Sequence, residues 1–386
     1  MKIVHFLLGR CNPDSANGVD KYVYYITRAQ ASLGLEVALF CLTDKAPIPV
    51  PGVLIKCYRR PRFPFNIPSA LKHDIRAWSP EIVHLHSTYI PANARLGAWL
   101  RHNRINYVIT PHGGLAEPVL LGRHRHLKSL YRAFEELPLL NSALFVHSVG
   151  DIDQIRAYGV RSPIAVVPPG YAEVPSTRQA GPTLRERIPE LNGKQVFLFV
   201  GRLDAKGKGL ELFLRAFATA NPSNAAVVLV GPDWKGGRAI LTKLARTLGV
   251  SSRVWFQAPL FGQEKYDTLL SADVFVHTSP SEGLSNAVLE ACALGMPCLL
   301  TKAADPLGLL SKHDAAVVVE HNCSAVASGI MKLAQMNVSD LRRCGERARA
   351  LVAANFNWQK TATSLTELYG SFGNSPQPPS ASSLVL

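Results

Sequence analysis

The chain lacks the features that would mark a membrane-spanning or disulfide-bonded protein. No apolar run approaches the ~18 residues that a membrane-spanning helix needs. The first residues, MKIVHFLLGR, contain an apolar run that His5 interrupts, and no small-residue cleavage site follows. We therefore interpret them as a first strand and not as a signal peptide. The seven cysteines form no C-x-x-C pair, which is typical of reduced thiols in a cytoplasmic protein.

Acidic residues are also scarce. The chain has 28 Asp and Glu residues against 42 Lys and Arg residues, which gives a net charge of +14. Such an excess suits a phosphorylated substrate, an anionic membrane surface or nucleic acid. The basic residues are scattered and no nucleic-acid-reading motif is present, so we expect no nucleic-acid partner. A length of 386 residues is sufficient for two domains with separate cores.

A strand, a loop and a helix follow one another in the second half. Residues 273–278 have the branched and aromatic run of a buried parallel strand, and residues 286–294 have the pattern of a helix that a following glycine ends. The loop 279–285 therefore joins the carboxyl end of a strand to the amino end of a helix. Open parallel sheets bind ligands at such loops, and the free N–H groups of a helix amino end bind phosphate.

Two carboxylates stand in this stretch, Glu282 in the loop and Glu290 in the helix. Both are open to a plain interpretation as solvated acids. Glu290, however, lies in an apolar run and too far into the helix for a capping box. An unpaired carboxylate there would be costly, and we therefore favour a ligand-binding role.

The string SPSEGLSNAVLEACALGMPCLLT resembles the E-x7-E signature of the retaining glycosyltransferases of family 4, two-domain GT-B enzymes that use nucleotide sugars. In that family the first Glu and the backbone after it hold the donor sugar, and the second Glu binds the ribose hydroxyls. The resemblance assigns these donor-binding roles to Glu282, to Gly283, Leu284, Ser285 and Asn286, and to Glu290. The residue types suit the chemistry, because carboxylates accept hydrogen bonds from diols and main-chain N–H groups bind a charged leaving group.

Two further candidates lie in the first half. The loop after the first strand carries paired glycines beside the donor diphosphate in related enzymes. Here only Gly18 stands there, and it is equally well a plain turn glycine. His112 ends a strand and precedes a glycine pair, and the resemblance makes it face the donor sugar. Its alternative is a turn histidine bonded to local backbone.

Two patterns imitate metal sites. His84 and His86 point to one face of the strand 81–87, but no third ligand lies at useful spacing in the sequence. Asp151 and Asp153 imitate the D-x-D motif of a different glycosyltransferase fold, yet they stand where a helix begins, and acids there favour the helix dipole. We predict neither a metal nor another cofactor.

A second phosphate-binding pattern begins at Gln195, where a strand runs into Gly201, Arg202 and a lysine-rich glycine turn before a helix. The resemblance places Arg202 and one lysine on the donor diphosphate. One residue more than the commoner spacing leaves Lys206 and Lys208 as contenders. We choose Lys208, since it directly precedes the glycine that begins the helix. The nucleobase is expected against the turn 256–260.

The predicted fold class is α/β: a GT-B fold of two Rossmann-like doubly wound domains that face an interdomain cleft. The boundaries are 1–170 for an N-terminal acceptor domain, joined by a crossing C-terminal helix at about 358–372, 171–190 for a linker, 191–357 for the nucleotide-sugar donor domain and 373–386 for a disordered tail.

The predicted function is retaining, metal-independent transfer of a sugar from a nucleotide diphosphate to an acceptor hydroxyl. The catalytic candidates are His112, Arg202, Lys208 and Glu282. A glycan or lipid-linked acceptor of bacterial surface polysaccharide assembly is expected, with the protein in the cytoplasm. The basic segment 122–132 is the candidate contact for an anionic acceptor or the inner membrane face, with a solvated helix face as the alternative. The basic, aromatic segment 47–68 is favoured as a solvated loop, with membrane contact as its alternative. The alternatives are a sugar-nucleotide epimerase of the same fold and a non-catalytic sugar-nucleotide-binding subunit.

Overall fold

The chain folds into two compact units. The computed structural model describes residues 1–13, 17–112, 114–115, 125–148, 152–171, 174–175, 182–282 and 284–374. Unit 1 comprises Met1–Gly170 and the segment that begins at Phe356, and unit 2 comprises Tyr171–Asn355. The segment 171–190, expected as a linker, is part of unit 2. There a capping box between Thr183 and Glu186 begins a short helix.

Unit 1 is built on a parallel sheet of seven strands. They are β1 (Lys2–Leu7), β2 (Glu36–Leu42), β3 (Val53–Tyr58), β4 (Ile82–His86), β5 (Tyr107–Thr110), β6 (Val146–Ser148) and β7 (Ile164–Val166). Their order across the sheet is β3-β2-β1-β4-β5-β6-β7. The sheet therefore reverses its direction of growth between β1 and β4, where His5 pairs with His84 in register.

The described helices of unit 1 connect these strands. They are α1 (Gly18–Ser32), α2 (Ser69–Trp78), α3 (Pro91–His102), α4 (Arg125–Tyr131), α5 (Leu137–Asn141), α6 (Ile152–Tyr158) and, after unit 2, α15 (Trp358–Asn374). A π-helical turn, Arg132–Glu136, joins α4 to α5. The helix α15 extends two residues into the segment predicted as a tail.

Alternation along β1 distributes the core of unit 1 over both faces of the sheet. Val4 and Phe6 join the cluster on one face, whereas Ile3 and Leu7 join the other, together with residues of α1 and α15. Because His5 has the parity of Ile3, its side chain points toward α1 and α15. This explains why Gln30 of α1 hydrogen-bonds His5. Tyr369 of α15 bonds His84 on the neighbouring strand.

Unit 2 repeats the architecture with six parallel strands. They are β8 (Gln195–Val200), β9 (Ala225–Val230), β10 (Val254–Gln257), β11 (Val274–His277), β12 (Cys298–Thr301) and β13 (Val317–Val319), in the order β10-β9-β8-β11-β12-β13. Its helices are α7 (Leu184–Arg187), α8 (Leu210–Ala220), α9 (Gly237–Thr247), α10 (Gly262–Leu270), α11 (Asn286–Ala293), α12 (Leu309–Lys312), α13 (Cys323–Gln335) and α14 (Val338–Asn355). Short 3-10 turns occupy Pro189–Leu191, Ser251–Arg253 and Lys302–Ala304.

Both sheets are doubly wound, which confirms the predicted α/β class of two Rossmann-like domains. The reversals lie between β1 and β4 in unit 1 and between β8 and β11 in unit 2. Ligands of such sheets bind at the carboxyl ends of the strands beside the reversal. No described helix is long and apolar enough to cross a bilayer.

Candidate active site

Two loops of unit 2 are tied together beside its reversal point. The loop after β11 donates from the Thr278 hydroxyl to the carbonyl of Gly209 at 3.0 Å, and from the Ser279 hydroxyl to the carbonyl of Gly207 at 2.9 Å. Gly209 has a φ of 65°, and a Cβ atom there would lie 1.8 Å from the carbonyl oxygen of Thr278. Only glycine fits this close approach. The approach holds the lysine-rich turn against the loop that carries Glu282.

Glu282 is the centre of an ion pair and a hydrogen bond. The ammonium of Lys208 contacts its Oε1, and His277 donates from Nε2 to the same oxygen at 2.8 Å. Burial alone would raise the pKa of Glu282, but the His277 hydrogen bond and the Lys208 charge outweigh it and lower the pKa to about 2. The carboxylate therefore stays ionised and acts as an acceptor at neutral pH.

His277 is a residue that the sequence reasoning missed. It is the last residue of β11 and is buried beside the stacked rings of Phe199 and Phe275, with ring centroids 5.9 Å and 6.3 Å away. Its Nδ1 has no hydrogen-bond partner among the described residues. The sequence did offer a signal for His277: it is a polar residue that ends a buried strand, a few residues before Glu282.

Glu290 is buried, as its apolar context in α11 indicated, with 4% of its surface exposed. Its Oε2 accepts from the Lys265 ammonium at 2.8 Å, and both side chains are nearly inaccessible to solvent. A buried carboxylate needs such a partner. Lys265, on α10, was not predicted because the pairing depends on how α10 packs and not on sequence spacing.

The amino end of α11 begins where the sequence placed it. Ser285 is the N-cap, in an extended conformation, and no side chain caps the helix. The first N–H groups of α11 after Asn286 are thus free of a side-chain cap. Leu284 lies one residue earlier, and Gly283 lies outside the described residues.

Arg202 follows β8 at the same reversal point. Its side chain is exposed, and its guanidinium carbon lies 4.5 Å from the centre of the Trp234 ring, within the range of a cation–π contact. Of the two lysine candidates, Lys208 is half-buried on Glu282 whereas Lys206 is exposed. The structure brings Lys208 together with Glu282, and no described contact links Arg202 directly to that pair.

In unit 1, His112 belongs to a histidine cluster (His5, His84, His86, His112 and His147) at the carboxyl side of the sheet. His86 Nδ1 lies 3.1 Å from His112 Nε2, and His5 Nδ1 lies 3.0 Å from His86 Nε2. His112 itself has a φ of 52°, a strained conformation that tends to occur at functional sites. It is the half-buried member, while the other four are fully buried.

The expectation that His84 and His86 lack a third metal ligand is wrong, because the fold brings His5 beside them. The ring nitrogens of His5, His84 and His86 offer atoms within 4.8 Å of one another. His5 was missed because it stands 79 residues before His84 and reaches it only through strand pairing. All six ring nitrogens of these three residues already have hydrogen-bond partners, so a metal would have to displace those bonds.

The histidine cluster is held neutral. Burial lowers the pKa of His5 to about 4, of His112 to about 3 and of His147 to about 4. Burial, together with the neighbouring imidazoles, also holds the pKa values of His84 and His86 well below the usual range. Each ring therefore has one N–H and one lone pair at neutral pH.

The other predicted features of unit 1 are less informative. Gly18 is the first residue of α1, capped by Asn17, and no described contact assigns it a ligand. Asp151 lies outside the described residues and the Asp153 side chain is not described, so the structure does not test their capping role. Residues 122–124 of the basic segment also lie outside the described residues, and the rest of that segment forms α4 and the start of the π-helical turn.

Comparison with known proteins identifies the family. The model for Glycosyltransferase Family 4 matches residues 16–172, and the model for Glycosyl transferases group 1 matches residues 182–351. The chain belongs to glycosyltransferase family 4. The E-x7-E stretch, with Glu282 and Glu290, lies inside the second match.

This glycosyltransferase is similar along most of its length to known proteins. It is 26% identical to the D-inositol 3-phosphate glycosyltransferase of Corynebacterium urealyticum over 413 aligned positions, covering 96% of this chain and 94% of the relative. Among solved structures, an Anabaena protein, HepE, in complex with UDP has a TM-score of 0.74 at 17% identity, with 96% and 100% of the two chains covered.

A second similar structure is an α,α-trehalose-phosphate synthase from Burkholderia xenovorans in complex with glucose-6-phosphate. Its TM-score is 0.74 at 13% identity, with 96% of this chain and 100% of that chain covered. At this level of identity the solved structures show the shared fold, which is the GT-B fold that the sequence predicted.

Proposed function

We propose that the enzyme transfers a sugar from a nucleotide diphosphate to an acceptor hydroxyl with retention of configuration and without a metal. The observation that carries this proposal is the contact of Lys208, Glu282 and His277 at the reversal point of unit 2, next to the uncapped amino end of α11. This arrangement offers a cation and N–H groups to a diphosphate, and a fixed carboxylate to sugar hydroxyls.

Stabilisation of the leaving group dominates the proposed chemistry. As the bond between the anomeric carbon and the diphosphate oxygen breaks, negative charge grows on the diphosphate. Lys208, Arg202 and the first N–H groups of α11 neutralise that charge, a task that a metal performs in other folds. The acceptor oxygen bonds to the anomeric carbon on the face that the nucleotide leaves, and its proton passes to the departing phosphate.

The remaining candidates orient the donor. Glu282, kept ionised by its partners, accepts from sugar hydroxyls. Glu290, held by Lys265, accepts from the ribose diol. The main chain from Gly283 to Asn286 contributes N–H donors, and Gly18 allows close approach of the backbone of the first loop. His112, as a neutral imidazole, contacts the sugar.

The acceptor is proposed to carry a phosphate. Two observations support this class: the relative from Corynebacterium is named for inositol 3-phosphate, and this chain has a net charge of +14. The relatives' names thus favour a small phosphorylated acceptor over the surface polysaccharide expected from the sequence. A phosphate can also belong to a lipid-linked glycan, and the test must separate the two sources.

An apolar stripe supports membrane contact by unit 1. Leu127, Leu130 and Phe134 recur at helical spacing on α4 and the following π-helical turn, and they are exposed by 66%, 58% and 74%. Phe63 is also 58% exposed, and Phe65 next to it packs near Tyr131 of α4. Apolar side chains beside basic residues suit an anionic bilayer surface.

Binding to anionic vesicles should fall when Leu127 and Phe134 are changed to Ser, but not when the exposed Ile240 of unit 2 is changed.

The deciding experiment has two stages. Thermal-shift screening against UDP-, GDP- and ADP-sugars selects the donor, because a ligand that binds the native state raises the unfolding temperature. Turnover is then measured with inositol phosphate, with glucose 6-phosphate, with their dephosphorylated forms and with a lipid-linked phosphate. NMR of the product reports the anomeric configuration.

The outcomes separate the alternatives. Retention with a phosphorylated acceptor supports the proposal, and inversion overturns the mechanism. Conversion of the donor without any acceptor identifies the epimerase, and donor binding without turnover on any acceptor identifies the non-catalytic subunit.

A further inference from the structure

The histidine cluster continues into a chain of hydrogen bonds that starts from a backbone carbonyl. His147 Nε2 lies 2.8 Å from the carbonyl oxygen of Val167, and His147 Nδ1 lies 2.9 Å from the Thr110 hydroxyl. A carbonyl can only accept, so His147 donates from Nε2. Since His147 is neutral, its Nδ1 must accept, and the Thr110 hydroxyl must donate to it.

The same reasoning fixes the next two groups. The Thr110 hydroxyl donates its single hydrogen bond to His147, so its oxygen accepts from His84 Nε2, which lies 2.6 Å away. His84 then accepts at Nδ1 from the Tyr369 hydroxyl at 2.7 Å. The phenolic proton of Tyr369 is therefore engaged in the hydrogen bond to His84, and the Tyr369 oxygen can only accept a further hydrogen bond.

Gln30 connects this branch to the other histidines. Its carbonyl Oε1 lies 2.7 Å from His5 Nε2, and its side chain meets Tyr369, where it opposes the rise that burial causes in the Tyr369 pKa. The Gln30 amide nitrogen makes no hydrogen bond within 3.5 Å among the described residues. With the Tyr369 oxygen left as an acceptor, the amide nitrogen faces it and the carbonyl faces His5.

From Gln30 onward each donor role is again determined. His5 donates from Nε2 to Gln30 and accepts at Nδ1 from His86 Nε2. His86 in turn accepts at Nδ1 from His112 Nε2. His112 is thereby the Nε2–H tautomer. Its Nδ1 has no hydrogen-bond partner among the described residues, so its lone pair can accept from a ligand.

We propose that Gln30, His5 and His86 are positioning residues that hold His112 as the Nε2–H tautomer, so that its Nδ1 accepts a hydrogen bond from a hydroxyl of the donor sugar. The sugar part of this inference rests on the proposed function, whereas the tautomer does not. The geometry favours this role over a metal site, because the three adjacent histidines are engaged in the chain and a cation there would have no anion beside it within the cluster.

The tautomer can be measured directly in the full-length protein. With 15N-labelled histidine, long-range 1H–15N correlation spectra separate protonated from unprotonated ring nitrogens. We expect His112 to have a protonated Nε2 and an unprotonated Nδ1 at pH 7.5. The opposite assignment in the unmodified protein would overturn the inference, and this measurement requires no variant to fold.

Gln30 is the positioning residue farthest from His112 along the hydrogen-bond chain. Its variants test whether the chain sets the tautomer of His112. Gln30→Met keeps the volume but removes the acceptor, and both tautomers of His112 should then appear. Gln30→Glu retains an oxygen toward His5 and should restore the single tautomer. The exposed His73 provides a control, His73→Gln, that should leave His112 unchanged. An unchanged His112 in folded Gln30→Met would overturn the role of the distant residues.

Kinetics separate this inference from the proposed function. In Gln30→Met, kcat should fall roughly three- to tenfold, the size of one neutral hydrogen bond, while the affinity for the free nucleotide is unchanged. Gln30→Glu should recover most of kcat. If the tautomer is as predicted but no sugar nucleotide binds, the proposed function fails and the tautomer assignment stands. If transfer is observed and kcat does not respond to Gln30→Met, the positioning role fails alone.

Discussion

The two units use the same topological position in opposite electrostatic ways. At the reversal point of unit 2 the structure holds formal charges in pairs, Lys208 with Glu282 and Lys265 with Glu290. At the reversal point of unit 1 it holds neutral imidazoles whose order is set by hydrogen bonds. Paired charges suit the binding and release of a charged diphosphate, whereas neutral donors and acceptors suit the orientation of uncharged hydroxyls.

The largest expected difference between the two units is in how their stability depends on pH in the acid range. The folded-state pKa values of His5, His84, His86 and His147 are lowered, so the unfolded chain takes up protons first as the pH falls below 6.5. Their contribution to stability is thus complete above about pH 6.5 and is lost as the pH falls toward 4, at most about 1.4 kcal/mol per histidine and pH unit. In unit 2, the pKa of Glu282 is lowered to about 2. The stability that its ionised form contributes is therefore lost only as the pH falls from about 4.5 to about 2.

Hydrogen-exchange mass spectrometry at pH 7.5 and pH 5.5, corrected for intrinsic rates, measures each unit separately. Peptides of β1, β4 and β6 should lose protection by several kcal/mol, while those of β8 and β11 should change little. Equal losses in both units would contradict the contrast between neutral and charged sites.

The next largest effect is expected for Lys208→Ala. Removal of the cation that we propose to neutralise the leaving group should lower kcat by about 10² to 10³ with a smaller change in donor KM. Lys206→Ala, two residues earlier and exposed, is the matched control and should stay within a few-fold of the unmodified enzyme. Similar losses for the two variants would remove the assignment of Lys208.

Glu290→Gln should act on binding more than on turnover. The amide keeps the shape of the side chain but loses the negative charge with which we propose that Glu290 accepts from the ribose diol. Donor KM should therefore rise about tenfold with kcat nearly constant. Because Lys265 then loses its buried counter-charge, the unfolding temperature should also fall. Glu264→Gln, an exposed acid on the same helix as Lys265, is the control. A raised KM without any loss of stability would sharpen the view that Lys265 serves the ligand.

His277→Gln should have the smallest effect. Glutamine can still donate to Glu282, so the loss of the imidazole that stacks near Phe199 and Phe275 should lower kcat only a few-fold. His277→Phe, which cannot donate, should lower kcat further at unchanged nucleotide affinity. Equal kinetics for the two variants would show that the hydrogen bond to Glu282 is dispensable.

Local patterns predicted the fold and the strand–loop–helix segments well. The loop 279–285 and the start of α11 at Asn286 follow from residues close together in the sequence. The choice of Lys208 has the same local basis and stays a prediction, although its ammonium contacts Glu282. The partners were not predictable in this way. Lys265 reaches Glu290 through the packing of α10, and His5 reaches His84 through strand register. Such contacts depend on tertiary geometry, which single-sequence spacing does not encode.

The order of the chain has a consequence for biosynthesis. Unit 2 is contiguous and lies between two parts of unit 1. Tyr369, on α15, is buried against the first strands of the chain and bonds His84. During translation, therefore, unit 2 can complete its core while unit 1 still exposes the face of its sheet that α15 covers. A chaperone that shields nascent apolar surface should engage unit 1 until the ribosome has released that helix.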